Sequence, residues 1–310
     1  MFQQGPTAQR TNSNHMPTYP FVTVDVFTDR RFGGNPLAVL PDAAGLSVDD
    51  MQALAAEFNL SETTFVLPPE QRGHTARVRI FNRTSEMPFA GHPSIGTGYV
   101  LAQQGRDEGG VLLLEVPAGI VRVEIQRDSA GNAIGGVLEA PQPLSTGPEF
   151  PAETVAACAG LDADDVIVTR HPPILASVGN PYVIAEVTDI ALRRAVPNIQ
   201  AFRDASAARP NLNGRLSLHL YAREQTRLRA RMFAPLAGTF EDPATGSANA
   251  PLAALLLSLT TDAQCSFDVI QGVEMGRPSL LNLTARRTEH GIRATVGGRC
   301  VPVLRGEVLL

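Results

Sequence analysis

The stretch PFVTVDVFT, from Pro20 to Thr28, alternates apolar and polar residues with the period of two that puts successive side chains on opposite faces. It predicts a strand. RRFGGNPLAVL then turns at Gly33, Gly34 and Asn35 and resumes as a second strand, so a hairpin-like opening follows. From Ser47 the period changes. SVDDMQALAAEF places Met51, Leu54 and Ala55 on one face behind a serine cap with Asp50 three residues on, which predicts an amphipathic helix ending near Asn59. SETTFVLPP reads as a strand stopped by prolines. In HTARVRIFN, Ala76, Val78 and Ile80 alternate with Arg77 and Arg79, giving a half-exposed strand. A helix over Pro93 to Gln104 and strands at LLLEVPAG and IVRVEIQ complete this half.

Between Pro141 and Pro151 the chain becomes PQPLSTGPEFP, a proline-rich break. The plan then recurs. A helix near ETVAACAG, strands at DVIVTR, ILASVG and YVIAEV, a helix over Asp189 to Ala195, strands at SLHLYAR and LRARMFA and a long helix from Pro243 lead into a strand-rich end. We therefore expect a disordered extension over residues 1–18, one domain over 19–140 and a second over 141–310, the last strand being free to return to the first domain.

The composition narrows the chemistry. The chain has 310 residues, 44% of them hydrophobic, and a net charge of −5 without a basic run, which argues against nucleic acid and anionic membranes as partners. No apolar run reaches the roughly 18 residues of a membrane-spanning helix, and the polar start MFQQGPTAQRTNSNHMPTYP lacks the apolar core of a secretory signal. A cytoplasmic location is the expectation. Cys158, Cys265 and Cys300 are odd in number and widely spaced, as expected of reduced, mostly buried thiols. All 26 basic residues are arginine. A lysine Schiff base, a lysine general base and a Walker A clamp are thereby excluded. No G-x-G-x-x-G opens a helix in register, and no HExxH or close His/Asp cluster suggests a metal. His74, His171, His219 and His290 read as surface or loop residues.

Two strings carry the candidate chemistry. His92-Pro-Ser-Ile-Gly-Thr-Gly and Asp242-Pro-Ala-Thr-Gly-Ser-Ala share a polar-Pro-small-x-Gly-hydroxyl-small pattern, each at the start of a helix. His92 or Asp242 before the proline suits an ordinary cap. The glycines do not, because Gly96 and Gly246 each cost a helix about 1 kcal/mol relative to alanine. Bare N–H groups at a helix start, with glycine admitting a ligand, make a site for a carboxylate. Two such starts across a cleft would clamp one small acid. The proton carrier is expected at Glu62 in EFNLSETTFVLPP, an acid among Leu60, Phe65 and Val66 whose desolvation would raise its pKa.

Taken in order, VDVFTDRRFGGNPLAVL, EFNLSETTFVLPP, NRTSEMPFAGHPSIGTGYVLA, VPAG, FAPLAGTFEDPATGSANAPLAALL and QGVEMGRPSLL resemble the PhzF-like phenazine biosynthesis family across nearly the whole chain. The resemblance implies an α+β fold of the diaminopimelate epimerase type: two similar domains, each a mixed sheet curled as a barrel around a central helix, with the site between them. Carried over by motif, Glu62, His92 and Asp242 would be catalytic, while Gly91, Gly246 and Ser247 would bind the substrate. A cofactor-independent isomerase follows, acting by proton transfer on a small cyclic carboxylic acid, of the trans-2,3-dihydro-3-hydroxyanthranilate isomerase type. A homodimer is implied too. An amino- or hydroxy-acid epimerase, racemase or dehydratase of the same fold, or a non-catalytic small-acid-binding protein, is the alternative. The paired cysteines of related racemases lie near His92 or Ser94 and near Asp242 or Thr245, where this chain has none.

Overall fold

The computed structural model describes residues 17–310 except 213, 225 and 226. Of the expected extension over 1–18, residues 1–16 lie outside the described residues, and Thr18 already belongs to the first strand.

The first half runs β1 (Thr18–Val26), β2 (Asn35–Leu40), α1 (Val48–Phe58), β3 (Glu62–Leu67), β4 (Ala76–Phe81), β5 (Glu86–Met87), α2 (Gly91–Gln103), β6 (Val111–Val116), β7 (Gly119–Arg127) and β8 (Ala133–Glu139). After it come β9 (Ser145–Glu149), α3 (Ala152–Ala159), β10 (Val166–Ile167), β11 (Ile174–Ser177), β12 (Pro181–Val187), α4 (Asp189–Arg194), α5 (Ile199–Ala207) and β13 (Leu218–Glu224). The chain ends with β14 (Arg227–Ala234), β15 (Thr239–Asp242), α6 (Gly246–Ser258), β16 (Gln264–Gln271), β17 (Ser279–Thr288) and β18 (Gly291–Leu309). The amphipathic helix expected after Ser47 forms, with Ser47 and Asp50 in a reciprocal capping box and Asn59 closing it in the left-handed region. Helix α5 has no counterpart in the sequence reading.

Each half closes into a barrel. In the first, β1–β2–β3–β4–β6–β7–β8 pair in that order, and β18 closes the ring by pairing with both β8 and β1. Its two parallel pairs, β2–β3 and β4–β6, are bridged by α1 and α2, because a parallel connection must return to the same end of the sheet. The second half repeats the plan. β12–β13 and β14–β16 are parallel, bridged by α4 with α5 and by α6, and β9–β11–β12–β13–β14–β16–β17–β18 follow around the wall. Residues 140–144 seal it against β18 through Ala140 N–H to Ala294 O and Leu144 N–H to Ile292 O.

Helices α2 and α6 fill the barrels, and both are buried nearly all round, as hydrophobic central helices should be. The barrels meet where β8 crosses β18. A β-carbon on Gly135 would lie 2.1 Å from Gly298 O, and one on Gly298 would lie 2.6 Å from the Phe27 ring, so only glycine allows this approach. A separate apolar cluster under α3, α4 and α5 includes Phe202, Leu218, Leu220 and Phe233 and covers the outside of the second barrel.

The duplication differs in register from the string comparison. Helix α2 opens at Gly91, not Pro93, and α6 at Gly246, not Pro243. Residue pairing agrees: Met87 faces Ile80 across β4–β5, and Asp242 faces Met232 across β14–β15. The equivalent strings are therefore Met87-Pro-Phe-Ala-Gly-His and Asp242-Pro-Ala-Thr-Gly-Ser. His92 corresponds to Ser247, and Asp242 to Met87.

Candidate active site

Glu62, His92, Asp242, Gly91, Gly246 and Ser247 all line one cleft of about 620 Å³ between the barrels. Glu62 opens β3, directly after the left-handed turn at Asn59 that ends α1. Its side chain is mostly buried, and Oε2 lies 3.1 Å from His92 Nε2. Among the described residues neither atom has hydrogen-bond geometry to any partner, so the pair is a close contact without a bond. Burial, reinforced by the Asp242 carboxylate and opposed by Arg83, pushes the Glu62 carboxyl up to about 8. Burial alone pulls His92 down to about 3, leaving a neutral ring. A carboxyl poised near neutrality is suited to taking and returning a proton.

Asp242 ends β15 three residues ahead of the N-cap of α6. Asn35 of the other barrel donates to its Oδ1 at 2.9 Å, and the Thr245 hydroxyl donates to Oδ2. Burial still raises its pKa to about 6 against these two hydrogen bonds. Behind it, Gln271 donates to Asp242 O at 2.8 Å and accepts from Asn249, whose side-chain oxygen lies 3.2 Å from His219 Nε2. This buried network anchors the start of α6 to the barrel wall. His219 is fully buried on β13, in the interior of the second half and not at the surface or in a loop, whereas His171 does lie in the loop between β10 and β11 but is buried there against Tyr221, to which it is bonded.

Neither α2 nor α6 has a side chain capping its N-terminus, and nor does α3 behind Pro151, whereas α1, α4 and α5 are capped. His92 and Asp242 are thus not caps. The first N–H groups of both helices stay available at the positive ends of their dipoles, where an anion is favoured. Gly91 explains the opening on one side: a β-carbon there would meet nothing within 4 Å, so the cleft reaches its backbone. Gly96 does something else. A β-carbon there would sit 2.6 Å from Leu37 Cδ2 and 2.8 Å from Val26 Cγ2, so this glycine fits α2 to the barrel wall and not to a ligand.

Two further residues line the cleft, and a third, Asn35, holds Asp242 without lining it. Tyr182 OH lies 2.7 Å from Ser247 Oγ, and burial pushes the phenol up to about 12, so it remains protonated. Arg83 donates to Gly238 O at 3.1 Å, tying the β4–β5 turn to the β14–β15 turn across the cleft mouth. Asn35 was legible only as a turn residue. The signal that could have singled it out is a second Gly-Asn-Pro, at Gly179-Asn180-Pro181, leading into the equivalent strand β12. None of the three cysteines lines the cleft; burial raises the thiols of Cys158, to about 11, and of Cys300. Among the described residues, no three His, Cys, Asp or Glu side chains gather as a metal would require, and no helix is long and apolar enough to cross a membrane.

Two barrels around central helices, with a raised carboxyl and uncapped helix starts facing one cleft, define an isomerase of the diaminopimelate epimerase-like class. Within that class the chain belongs to the phenazine biosynthesis-like (PhzC-PhzF) family, whose model matches residues 24–306. It is 38% identical to an uncharacterized isomerase of Mesorhizobium japonicum over 95% of this chain and 100% of that protein. It is 35% identical to the trans-2,3-dihydro-3-hydroxyanthranilate isomerase of Pseudomonas chlororaphis, over 94% of this chain and 99% of that one. The crystal structure of a PhzF-family phenazine biosynthesis protein from Bacillus anthracis superposes with a TM-score of 0.84 at 28% identity, covering 95% of this chain and 100% of that one.

Proposed function

We propose that the protein is a cofactor-independent isomerase of the trans-2,3-dihydro-3-hydroxyanthranilate type. The observation that carries the reading is the convergence of Glu62, a buried carboxyl with a pKa raised to about 8, with two uncapped helix starts in one cleft. The substrate carboxylate binds the N–H groups at Gly91 and Gly246, helped by the Ser247 hydroxyl. Ionised Glu62 removes a C–H proton, the electron pair moves through the conjugated ring, and the protonated carboxyl returns the proton to another ring carbon. The resulting enol becomes the ketone as its O–H proton is released and the neighbouring alkene carbon takes one up from solvent. His92, neutral, and Asp242 orient and polarise the substrate's amino and hydroxyl groups. Burial makes the ionised Glu62 a stronger base than a solvated carboxylate, which is what abstraction from carbon demands.

A racemase or epimerase working through two thiols is not served by this cleft, which no cysteine lines. A carboxylate-based epimerase of an amino or hydroxy acid remains the second reading. Turnover of trans-2,3-dihydro-3-hydroxyanthranilate in D₂O tests the first: the double bonds shift, and deuterium enters the ring carbon that Glu62 reprotonates as well as the carbon protonated when the enol becomes the ketone. Inversion of a stereocentre with no shift of the double bonds would overturn it.

A further inference from the structure

The duplication places two Asn-Pro corners at equivalent points, Asn35-Pro36 entering β2 and Asn180-Pro181 entering β12. Their surroundings are not equivalent. Asn35 is fully buried, and its amide nitrogen donates across the barrel boundary to Asp242 Oδ1 at 2.9 Å and to Ala244 O at 3.0 Å. Both partners are pure acceptors, so the NH₂ end must face them. Asn180 is exposed, and the residue that would face it by symmetry is Met87, a thioether in place of a carboxylate. The buried cross-barrel donor exists only where the opposite half supplies Asp242.

Two further observations show that Asn35 is held for this contact. Its own Oδ1 is buried without a partner among the described residues, a loss of roughly 1–3 kcal/mol that serves no purpose in stability. The turn carrying it is also fixed from the second barrel. Arg277 donates to Gly34 O at 2.9 Å, to Gly33 O at 2.7 Å and to Asp25 Oδ1 at 2.6 Å. Gly34 adopts φ 62°, and a β-carbon there would overlap Val26 O at 2.3 Å, so the approach to Asn35 admits no other residue.

We propose that Asn35 is a positioning residue of the isomerase site, one that aims the Asp242 carboxylate from across the barrel boundary and keeps it an acceptor for the substrate. With Asn35 on Oδ1 and Thr245 on Oδ2, the carboxylate is fixed through both oxygens at the wall of the cleft. The titratable groups coupled to it are Glu241 on its own strand, Glu62 from β3 and Tyr182 from β12, while His92, Arg83 and Arg277, from the loop before β17, line the same cleft. Among the described residues, only Asn35 and Thr245 place a side-chain donor on its carboxylate oxygens. The inference rests on the isomerase reading for its catalytic consequence, and on geometry alone for the contact.

The test uses the full chain with Asn35→Ala and the near-isosteric Asn35→Asp. The carboxyl ¹³C resonance of Asp242, assigned by its loss in Asp242→Asn, is titrated without substrate; its midpoint moves up in Asn35→Ala. An unmoved midpoint overturns the proposal whatever the reaction is. With trans-2,3-dihydro-3-hydroxyanthranilate as probe, kcat falls at least about tenfold in Asn35→Ala while KM changes less. In Asn35→Asp the introduced carboxyl can donate to Asp242 only when protonated. The ratio of variant to wild-type kcat/KM therefore falls at least about tenfold between about pH 6 and about pH 8.5, with circular dichroism showing a folded protein throughout. A constant ratio would mark Asn35 as merely structural and overturn the proposal. Full activity in Glu62→Gln would sink the isomerase reading instead, leaving the titration to decide the role of Asn35.

Discussion

Glu62 Oε2 and His92 Nε2 face each other at 3.1 Å, sealed from solvent, without a hydrogen bond between them. A salt bridge would require a charged ring and a charged carboxylate, but burial drives both toward their neutral forms. The contact is therefore between a proton-bearing acid and a neutral imidazole, two groups kept apart from any permanent partner and open to a transient one.

Replacing Glu62 with glutamine preserves shape and removes the proton carrier. Turnover of the proposed substrate should fall at least about a hundredfold, with deuterium exchange lost and binding retained. Mass spectrometry of product formed in D₂O decides it, and wild-type incorporation in the variant would refute the role of Glu62.

The pH profile follows from the same group. Glu62 must start ionised, so kcat/KM should climb with pH, reach half its maximum near about 8 and flatten above, after correction for the substrate's own titration. Asp242, raised to about 6, adds a second loss at lower pH. A profile flat from about pH 6 to about pH 9 would contradict this assignment.

Stability should run the opposite way. The folded-state pKa of Glu62 lies above its unfolded value of 4.5, so the native protein binds more protons than the unfolded chain between 4.5 and about 8. Stability contributed by this group is therefore lost as pH rises through that window. Glu62→Gln removes the effect. Urea denaturation should find the variant similar to wild type near about pH 4.5 and more stable by several kcal/mol near about pH 9, at about 1.4 kcal/mol per pH unit. Equal stabilities at the higher pH would show that Glu62 ionises freely in the fold.

The two glycines of α2 should separate cleanly. Gly96→Ala forces a methyl against Leu37 and the stiff Val26, and should cost about 1–3 kcal/mol of stability despite alanine's better helix propensity. Gly91→Ala meets no protein atom, so it should leave the melting temperature within a few degrees while raising KM by placing a methyl in the anion site. Calorimetry and steady-state kinetics on the pair check both halves; an unchanged KM in Gly91→Ala would remove that backbone from the site.

Much of this was legible in residue order. Alternation located β1, β4 and their neighbours, the Ser47–Asp50 box located α1, and the motif resemblance brought Glu62, His92 and Asp242 to one cleft. The duplication was visible but misaligned. Two strings with proline, glycine and a hydroxyl at like spacing outweighed the true pair, which shares only Pro88 with Pro243 and Gly91 with Gly246, and strand register, which sequence does not display, set it right. His219 escaped notice for a similar reason. A polar residue on a strand reads as outward-facing, yet Asn249 of α6 waits for it inside the barrel. Asn35 looked like turn chemistry because its partner lies 207 positions away.

Strand β18 is shared: its first residues pair with β17, its middle with β8 and its end with β1. Leu304 N–H reaches the Thr23 hydroxyl over a separation of 281 residues. The N-terminal half therefore cannot shut its wall with its own strands, and a ribosome that has made only that half presents an open sheet with two bare edges. Such a topology delays the committing step of folding until both halves exist, and it makes the two barrels one cooperative unit. Cutting the gene at the proline-rich break would yield two fragments, of which the first has no way to finish itself.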